Sequence, residues 1–473
     1  MVGTMIKRHR YCSSLFSIRH LLGRLLVVGM LVCISAPVAT AQPFAPTSDT
    51  SEPLSLSLSD ALSRAQSESF AVRSARAQEQ AARAQKRQSL AVFLPRLTAA
   101  EQFGTTTDPV NAFGFKLKQE RFTQQDFQVG ALNNPQRTDN FATTLEVEQP
   151  LLNIDGFFAR RAAAAGARAA RQRTERTQAV VAFRVKKSYY RVVLTERQLA
   201  VIDAALRAAR ANVKQAQALF DEGMINRADL LAARVRVLAL ENQRSSVRAR
   251  RRNVADRLRL LLGIRDDVQI APTDSLVQEG VAIPPIDIHA VNQRRSDMDA
   301  LRYRADAARE QVRARWLAFV PKLNARGTYG WYDDTPLGTH GASYTIGASL
   351  SWSLFEGYRQ VGRAQQAGAE LQHAEISLQQ QALRNEVDIL AARRTIETAR
   401  ERIAQARQAV EQAKESLRIR TDRYAEGMAR TTDVLQAEAT LAERRLALLR
   451  ALYQHNVAVY RLELLIEQPL TNN

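Results

Sequence analysis

Phe220-Asp221-Glu222-Gly223-Met224-Ile225-Asn226-Arg227-Ala228-Asp229-Leu230-Leu231 recurs, 204 residues later, as Tyr424-Ala425-Glu426-Gly427-Met428-Ala429-Arg430-Thr431-Thr432-Asp433-Val434-Leu435. In each copy an aromatic residue closes a long helical pattern, glycine breaks it, and an aspartate six residues beyond the glycine opens another. Glycine accepts backbone conformations that other residues resist, and a carboxylate near a new helix start meets unpaired N–H groups. Each copy reads as a hairpin between two long helices, and the chain as two structural repeats.

The helical pattern before each hairpin runs without proline over residues 156–221 and 357–426. At 1.5 Å per residue, about 65 residues span nearly 100 Å, far beyond a compact domain. Val185, Val192, Leu199, Leu206, Val213 and Phe220 are spaced by seven, as are Ile389, Ile396, Ile403, Val410, Leu417 and Tyr424. Sustained sevens mark coiled-coil packing. Small residues beside them, such as Ala209, Ala216, Ala392, Ala399, Ala406 and Ala413, permit close helix approach. Shorter helices are expected at 59–92 and 227–262 in the first repeat and at 287–318 and 430–466 in the second, so that two short helices stack end to end beside one long one. Residues 42–58 form an N-terminal extension, 263–286 a linker rich in Gly and Pro with a small strand, and 467–473 a tail.

Phe93-Leu94-Pro95-Arg96-Leu97 and Phe319-Val320-Pro321-Lys322-Leu323 end the first helix of each repeat, and the period then changes to two. Tyr344, Ile346, Ala348, Leu350 and Trp352 alternate with Thr345, Gly347, Ser349, Ser351 and Ser353, giving one apolar and one small polar face. Leu323 to Trp331 and Phe141 to Val147 alternate likewise, and Leu97 to Thr105 is a weaker fourth strand. Two hairpins, 97–149 and 323–353, result. The proline motifs are 226 residues apart and the glycine turns 204, so the first repeat carries 22 extra residues, which fall in a long polar loop at 106–137. Tyr329, Trp331, Tyr332 and Trp352 are candidate membrane-interface aromatics at strand ends.

Residues 1–41 read as an export signal: Lys7, Arg8, Arg10, Arg19 and Arg24, the apolar run Leu25 to Ile34, and the small-residue site Ala39-Thr40-Ala41. Both cysteines, Cys12 and Cys33, lie within it, which excludes disulfides and thiolate metal sites beyond residue 41. The formal charge is +19, and the five leader cations leave +14 on the remainder. The densest basic run, Arg244 to Arg259, has helical spacing without interleaved aromatics, which reads as a solvated face and not a nucleic-acid surface. His289, His340, His373 and His455 show no metal spacing, no catalytic motif is present, and no cofactor is implied.

Strands can cross a bilayer only in a closed barrel, and the smallest such barrels have about eight strands. Four strands per chain therefore require several copies to share one barrel. The leader, the two proline motifs, Leu354-Phe355-Glu356-Gly357 and Tyr424-x-x-Gly427-x-x-x-x-x-Asp433-Val434-Leu435, in this order and duplicated, resemble the TolC-like outer-membrane efflux proteins. The resemblance implies a mainly α fold with transmembrane β: a homotrimer sharing a twelve-stranded barrel in outer-membrane lipid and a long periplasmic α-helical coiled-coil barrel. It also implies a passive exit duct for efflux or type I secretion, joined to a periplasmic adaptor (membrane fusion protein) and an inner-membrane transporter. Asp433 matches a gate carboxylate of that family, Asp229 is its equivalent in the first repeat, and Tyr424 lies beside it. Gln436 stands where some members place a second aspartate, which implies a single carboxylate ring at the aperture. The residues themselves leave a second role open, in which Asp229 and Asp433 cap the helices that follow. Gly223, Met224, Ile225, Gly427 and Met428 are candidates for the tips that meet the adaptor. The competing reading is a periplasmic coiled-coil adaptor or scaffold whose strands form a soluble sheet.

Overall fold

The structure, a computed structural model, describes residues 54–470 apart from 267 and 282. The expected leader at 1–41 lies outside the described residues. Strand β1 (Leu54–Leu56) and helices α1 (Leu58–Glu68) and α2 (Phe70–Gln88) lead to β2 (Arg96–Thr106). Helices α3 (Pro109–Lys118) and α4 (Val129–Asn133) occupy the connection to β3 (Thr138–Leu152), and α5 (Ile154–Asp221) and α6 (Arg227–Leu262) complete the first repeat. After β4 (Ile270–Pro272), the second repeat holds α7 (Ile288–Arg294), α8 (Ser296–Leu317), β5 (Lys322–Asp333), β6 (Gly341–Ser351), α9 (Arg359–Ala425) and α10 (Thr431–Ile466).

The two long helices, α5 with 68 residues and α9 with 67, span about 100 Å each. Asn153 starts α5 by accepting from the Gly156 N–H at 3.3 Å, with Asp155 favourably placed in the first turn. At the far ends Gly223 and Gly427 adopt φ of +73° and +74°, left-handed values that a side chain would strain. The chain reverses there into α6 and α10, each 36 residues long.

Where one continuous helix is expected at 59–92 and another at 287–318, the structure has a break in each. Ser69, with ψ 128°, separates α1 from α2, and Arg295, with ψ 134°, separates α7 from α8. The breaks are repeat equivalents, 226 residues apart like the proline motifs. Each falls where a short helix meets the end of a return helix. Gly263, just past α6, lies against the Glu68 backbone, and Glu467, just past α10, accepts from Ser296 N and Oγ at 2.8 Å each. The end-to-end stacking thus has a polar joint in the second repeat and a close backbone contact in the first.

Around α5, helices α2 and α8 pack beside its first half and α6 and α10 beside its second, while α9 packs on α8 and then α10. The main core lies at the joint, where Val181, Val185, Tyr189 and Val192 of α5 meet Ala61, Ala65, Leu258 and Leu262. The parallel pair β1–β4 closes this level, and the Tyr189 hydroxyl donates to the Leu56 carbonyl at 2.9 Å. Ile389, Ile396 and Ile403 are buried as their spacing by seven requires, whereas Val213, Phe220, Leu417 and Tyr424 near the tips are only half-buried.

His455 of α10 is fully buried, its Nδ1 3.2 Å from Asn456 Oδ1 and its Nε2 without a partner among the described residues. Burial, reinforced by Arg400 and opposed by the Asn456 bond and Glu279, holds its pKa below the ordinary value near 6.5. The folded state therefore prefers the neutral ring. Its contribution is full above the unfolded-state pKa and falls away as the pH drops below it. Acidification from about pH 7 to 5 is expected to lower the thermal midpoint of the parent protein more than that of His455→Leu, as read by circular-dichroism melts.

The second sheet has four strands in the order β2-β3-β5-β6, all neighbours antiparallel. Its two hairpins join through β3 and β5, with a register shift between Pro150 and Leu152. Strands β2 and β6 are left at the edges, and because they run in opposite directions, β6 of one copy can pair antiparallel with β2 of another.

Candidate functional site: a two-faced sheet and a twin-hairpin tip

The registers put every sheet side chain on one of two faces. Leu97 pairs with Val147, Ala99 with Leu145 and Phe103 with Phe141. The same face continues through Tyr329 and Tyr344, Gly327 and Ile346, and Leu323 and Leu350. The opposite face carries Thr98, Gln102, Thr144, Glu146, Arg326, Thr328, Thr345 and Ser349, with Arg326 Nε 2.9 Å from Glu146 Oε1. The apolar face is bare: Tyr344 is 73% exposed, Ile346 79% and Leu350 67%. Water does not tolerate such a contiguous face in a free protein, nor two unpaired edges of about eleven residues. Among the described residues no helix is long and apolar enough to cross a membrane. The eleven residues of β6, at about 3.3 Å each and tilted about 40°, reach roughly 25–30 Å, the depth of a bilayer's apolar band.

Trp331 stands near the loop end of this sheet and Trp352 at the helix end, where its Nε1 donates to the Phe319 carbonyl at 2.9 Å. Tyr329 packs edge-on against Trp331, ring centres 4.6 Å apart. Tyr332 departs from the expected interface set. Its register partners are Ala142 and Gly341 on the polar face, beneath the ammonium of Lys118. Strand alternation puts it opposite Trp331, so a run of two aromatics supplies only one to the apolar face.

At the far end of the long helices the two hairpin tips pack together through Leu230, Ala233, Ala216 and Leu435. Ile225, expected at an exposed tip, is half-buried against this cluster, while Met224 and Met428 are exposed. Asp433 caps α10 by accepting from the Arg430 N–H at 3.3 Å, and its other oxygen lies 3.8 Å from Arg420 Nη1. Tyr424 accepts a hydrogen bond from the buried Thr431 hydroxyl at 3.2 Å. In the first repeat the cap is Asn226, whose side chain accepts from the Asp229 N–H at 2.9 Å. The Asp229 carboxylate is thus not the cap, although the sequence leaves that role open to both aspartates. Gln436 is exposed one turn beyond Asp433. A groove of about 750 Å³ runs beside this tip between Glu411, Glu415, Arg420, Arg423, Met428 and Asp433. No group of residues suited to holding a metal ion occurs among the described residues.

A model of the family described as outer membrane efflux protein matches residues 61–264 and 288–467. The chain belongs to the outer membrane efflux protein family. A membrane protein from Pseudomonas aeruginosa superposes with a TM-score of 0.76 at 19% identity, covering 90% of this chain and 98% of that one. The outer membrane protein VceC of Vibrio cholerae gives 0.70 at 19%, covering 87% and 96%, and the CmeC outer membrane channel of Campylobacter jejuni gives 0.73 at 16%, covering 88% and 87%. The alkaline protease secretion protein AprF of P. aeruginosa is 22% identical over 299 residues, so the match spans 61% of this chain and 59% of that relative. As an outer membrane efflux protein, the chain places its sheet in the outer membrane and its helical body in the periplasm.

Sequence reading overlooked Arg420 and Thr431 as the partners of the aspartate and the tyrosine. Reflection about Gly427 would have found the first, since Arg420 lies seven residues before that glycine and Asp433 six after it. The Leu230–Leu435 contact between tips had no comparable signal, because it joins two turns 204 residues apart.

Proposed function

We propose that three copies of this chain close a twelve-stranded barrel through their β2 and β6 edges, and that the enclosed tunnel is the passive exit duct of an efflux or secretion machine. The observation that carries this reading is a sheet with one bare apolar face, one polar face and two unpaired edges. A scaffold with a soluble sheet would leave that face in water, which disfavours it. With the polar face inward, water fills the barrel and the helices prolong the tunnel by about 100 Å. A passive duct has no energy source of its own, so an inner-membrane transporter drives the cargo and a periplasmic adaptor bridges the gap. The exposed Met224 and Met428 beside Gly223 and Gly427 are the contacts offered to that adaptor.

At the periplasmic mouth, three Asp433 carboxylates form a single ring that attracts cations and hinders anions. Gln436 adds no charge to it, and Arg420 offsets part of it. In planar lipid bilayers the purified protein forms ion-conducting channels, and Asp433→Asn weakens block by divalent cations about tenfold, which the capping role alone would not produce. Protein that never conducts would remove the duct reading. Unchanged cation block would reduce Asp433 to a helix cap.

A further inference from the structure

The 22 additional residues of the first hairpin are not a loose loop. Helix α3 lies across the polar face at the loop end of the sheet, against the last rungs of three strands. The side chain of Gln119 is buried and donates from Nε2 to the Asp139 carbonyl at 2.9 Å and to Asn140 Oδ1 at 3.0 Å. Ala112 is buried. Two glycines make room for the segment: a Cβ at Gly341 would collide with the Lys118 backbone carbonyl, and one at Gly104 would stand 3.3 Å from the Phe115 ring.

Around the segment, Asp108 caps α3 by accepting from the Asn111 N–H at 2.8 Å, Lys116 pairs with Asp126 at 2.6 Å, and Arg121 pairs with Asp334 of the β5–β6 turn. The Lys116 and Thr123 bonds hold the Asp126 carboxyl at about 2, so this clasp stays charged at any physiological pH. Phe113, Phe122 and Phe127 stack edge to face behind it.

On a helix the side opposite Ala112, Phe115 and Gln119 is that of Val110, Gly114 and Leu117. Val110 is 77% exposed and Leu117 48%. The face turned away from a water-filled wall is therefore apolar, the reverse of what a helix bathed in the lumen would carry. Twelve strands about 4.8 Å apart and tilted about 40° enclose roughly 25 Å between backbones, and a helix with its side chains is about 10 Å thick. Three such helices, one per wall of a shared barrel, would therefore reach the axis.

We infer that α3 is an extracellular plug, and that the Val110–Leu117 faces of three copies join across the tunnel axis into an apolar constriction that restricts the passage of water and ions until the helices part. The inference rests on the proposed three-copy tunnel. An apolar ring gates by dewetting, so its opening does not need the periplasmic aperture to change.

The test uses the full chain in planar bilayers, with extracellular and periplasmic sides distinguished by the direction of addition. Val110→Ser with Leu117→Ser hydrates the constriction, and Gly341→Val pushes α3 off the wall. Both are expected to raise single-channel conductance about twofold or more. Conductance equal to the parent's in both variants overturns the plug while leaving the tunnel intact, whereas parent and variants that all fail to conduct overturn the tunnel itself. A second measurement needs no change in conductance. The two native cysteines are Cys12 and Cys33, so Val110→Cys introduces a lone thiol beyond residue 41. A short bis-maleimide is expected to link chains through it, and chains that remain unlinked in the assembled protein contradict the meeting at the axis.

Discussion

Ile346→Lys will all but eliminate assembled protein from the outer membrane, while Thr345→Lys, one residue away, will leave assembly intact and shift ion selectivity toward anions. Ile346 sits at the centre of β6, opposite Gly327, and is 79% exposed on the apolar face. A lysine on the lipid side of a barrel costs about 2–4 kcal/mol at the midplane, and the proposed three-copy barrel would suffer it three times. The total is on the order of 6–12 kcal/mol, comparable with the whole stability of a typical domain. Thr345 points to the polar face, where an ammonium meets water and adds three positive charges to the lumen. Membrane fractionation and the yield of heat-resistant oligomer measure the first effect, and reversal potentials under a salt gradient measure the second. If the two lysines exchanged their effects, the face assignment would be inverted and the polar side would be the one in lipid.

Arg295→Met will be among the most destabilising single changes in the periplasmic body, by about 3–5 kcal/mol, because it strips a buried charge cluster of one partner. The Arg295 side chain is only 1% exposed. Its Nε and Nη2 donate to the two oxygens of Asp297 at 2.9 and 2.6 Å, and its Nη1 to the Leu465 carbonyl at 2.6 Å. Arg176 completes the cluster, 3.5 Å from Asp297 and 2.8 Å from Glu467. This is the polar joint that fastens the end of α10 to the α7–α8 break and to Arg176 in the first third of α5. Burial opposes ionisation of Asp297, but the Arg295 bonds and the Arg176 charge outweigh it and hold the carboxyl below its usual range. The sign follows: the stabilisation is fully present above the ordinary carboxylate pKa near 3.8 and is lost as the pH falls through the depressed value. Urea unfolding at neutral pH should show the loss, with Arg418→Ala as a control, since Arg418 pairs with the exposed Glu415 and Asp422 and its removal should change little. Equal stability of Arg295→Met and the parent would mean that the joint carries no load.

Much of this was legible in the sequence because it is periodic. The sevens through Val185, Val192, Ile389, Ile396 and Ile403 located the buried seam, and the alternation through Tyr344, Ile346 and Leu350 located a two-faced strand. Gly223 and Gly427 betrayed their turns because left-handed backbone strongly favours glycine. Features without period were missed. Ser69 and Arg295 break helices at residues that helices ordinarily accept, and the reason lies in partners 170 or more residues away. Helix α3 was hidden because Pro109, Gly114 and the later Asn133-Asn134-Pro135 read as loop, although Asp108-Pro109 is a good helix start. At the tip, the two aspartates looked alike in sequence, and only the presence of Asn226 in one repeat and Arg430 in the other separated their roles.

The tunnel depends on the number of chains that close one barrel. The mass of the complex extracted from outer membranes in mild detergent, by native mass spectrometry after detergent release, tests this directly. Three chains per particle is the expected result. A particle of one chain would contradict the shared barrel, since four strands with bare edges cannot close on themselves.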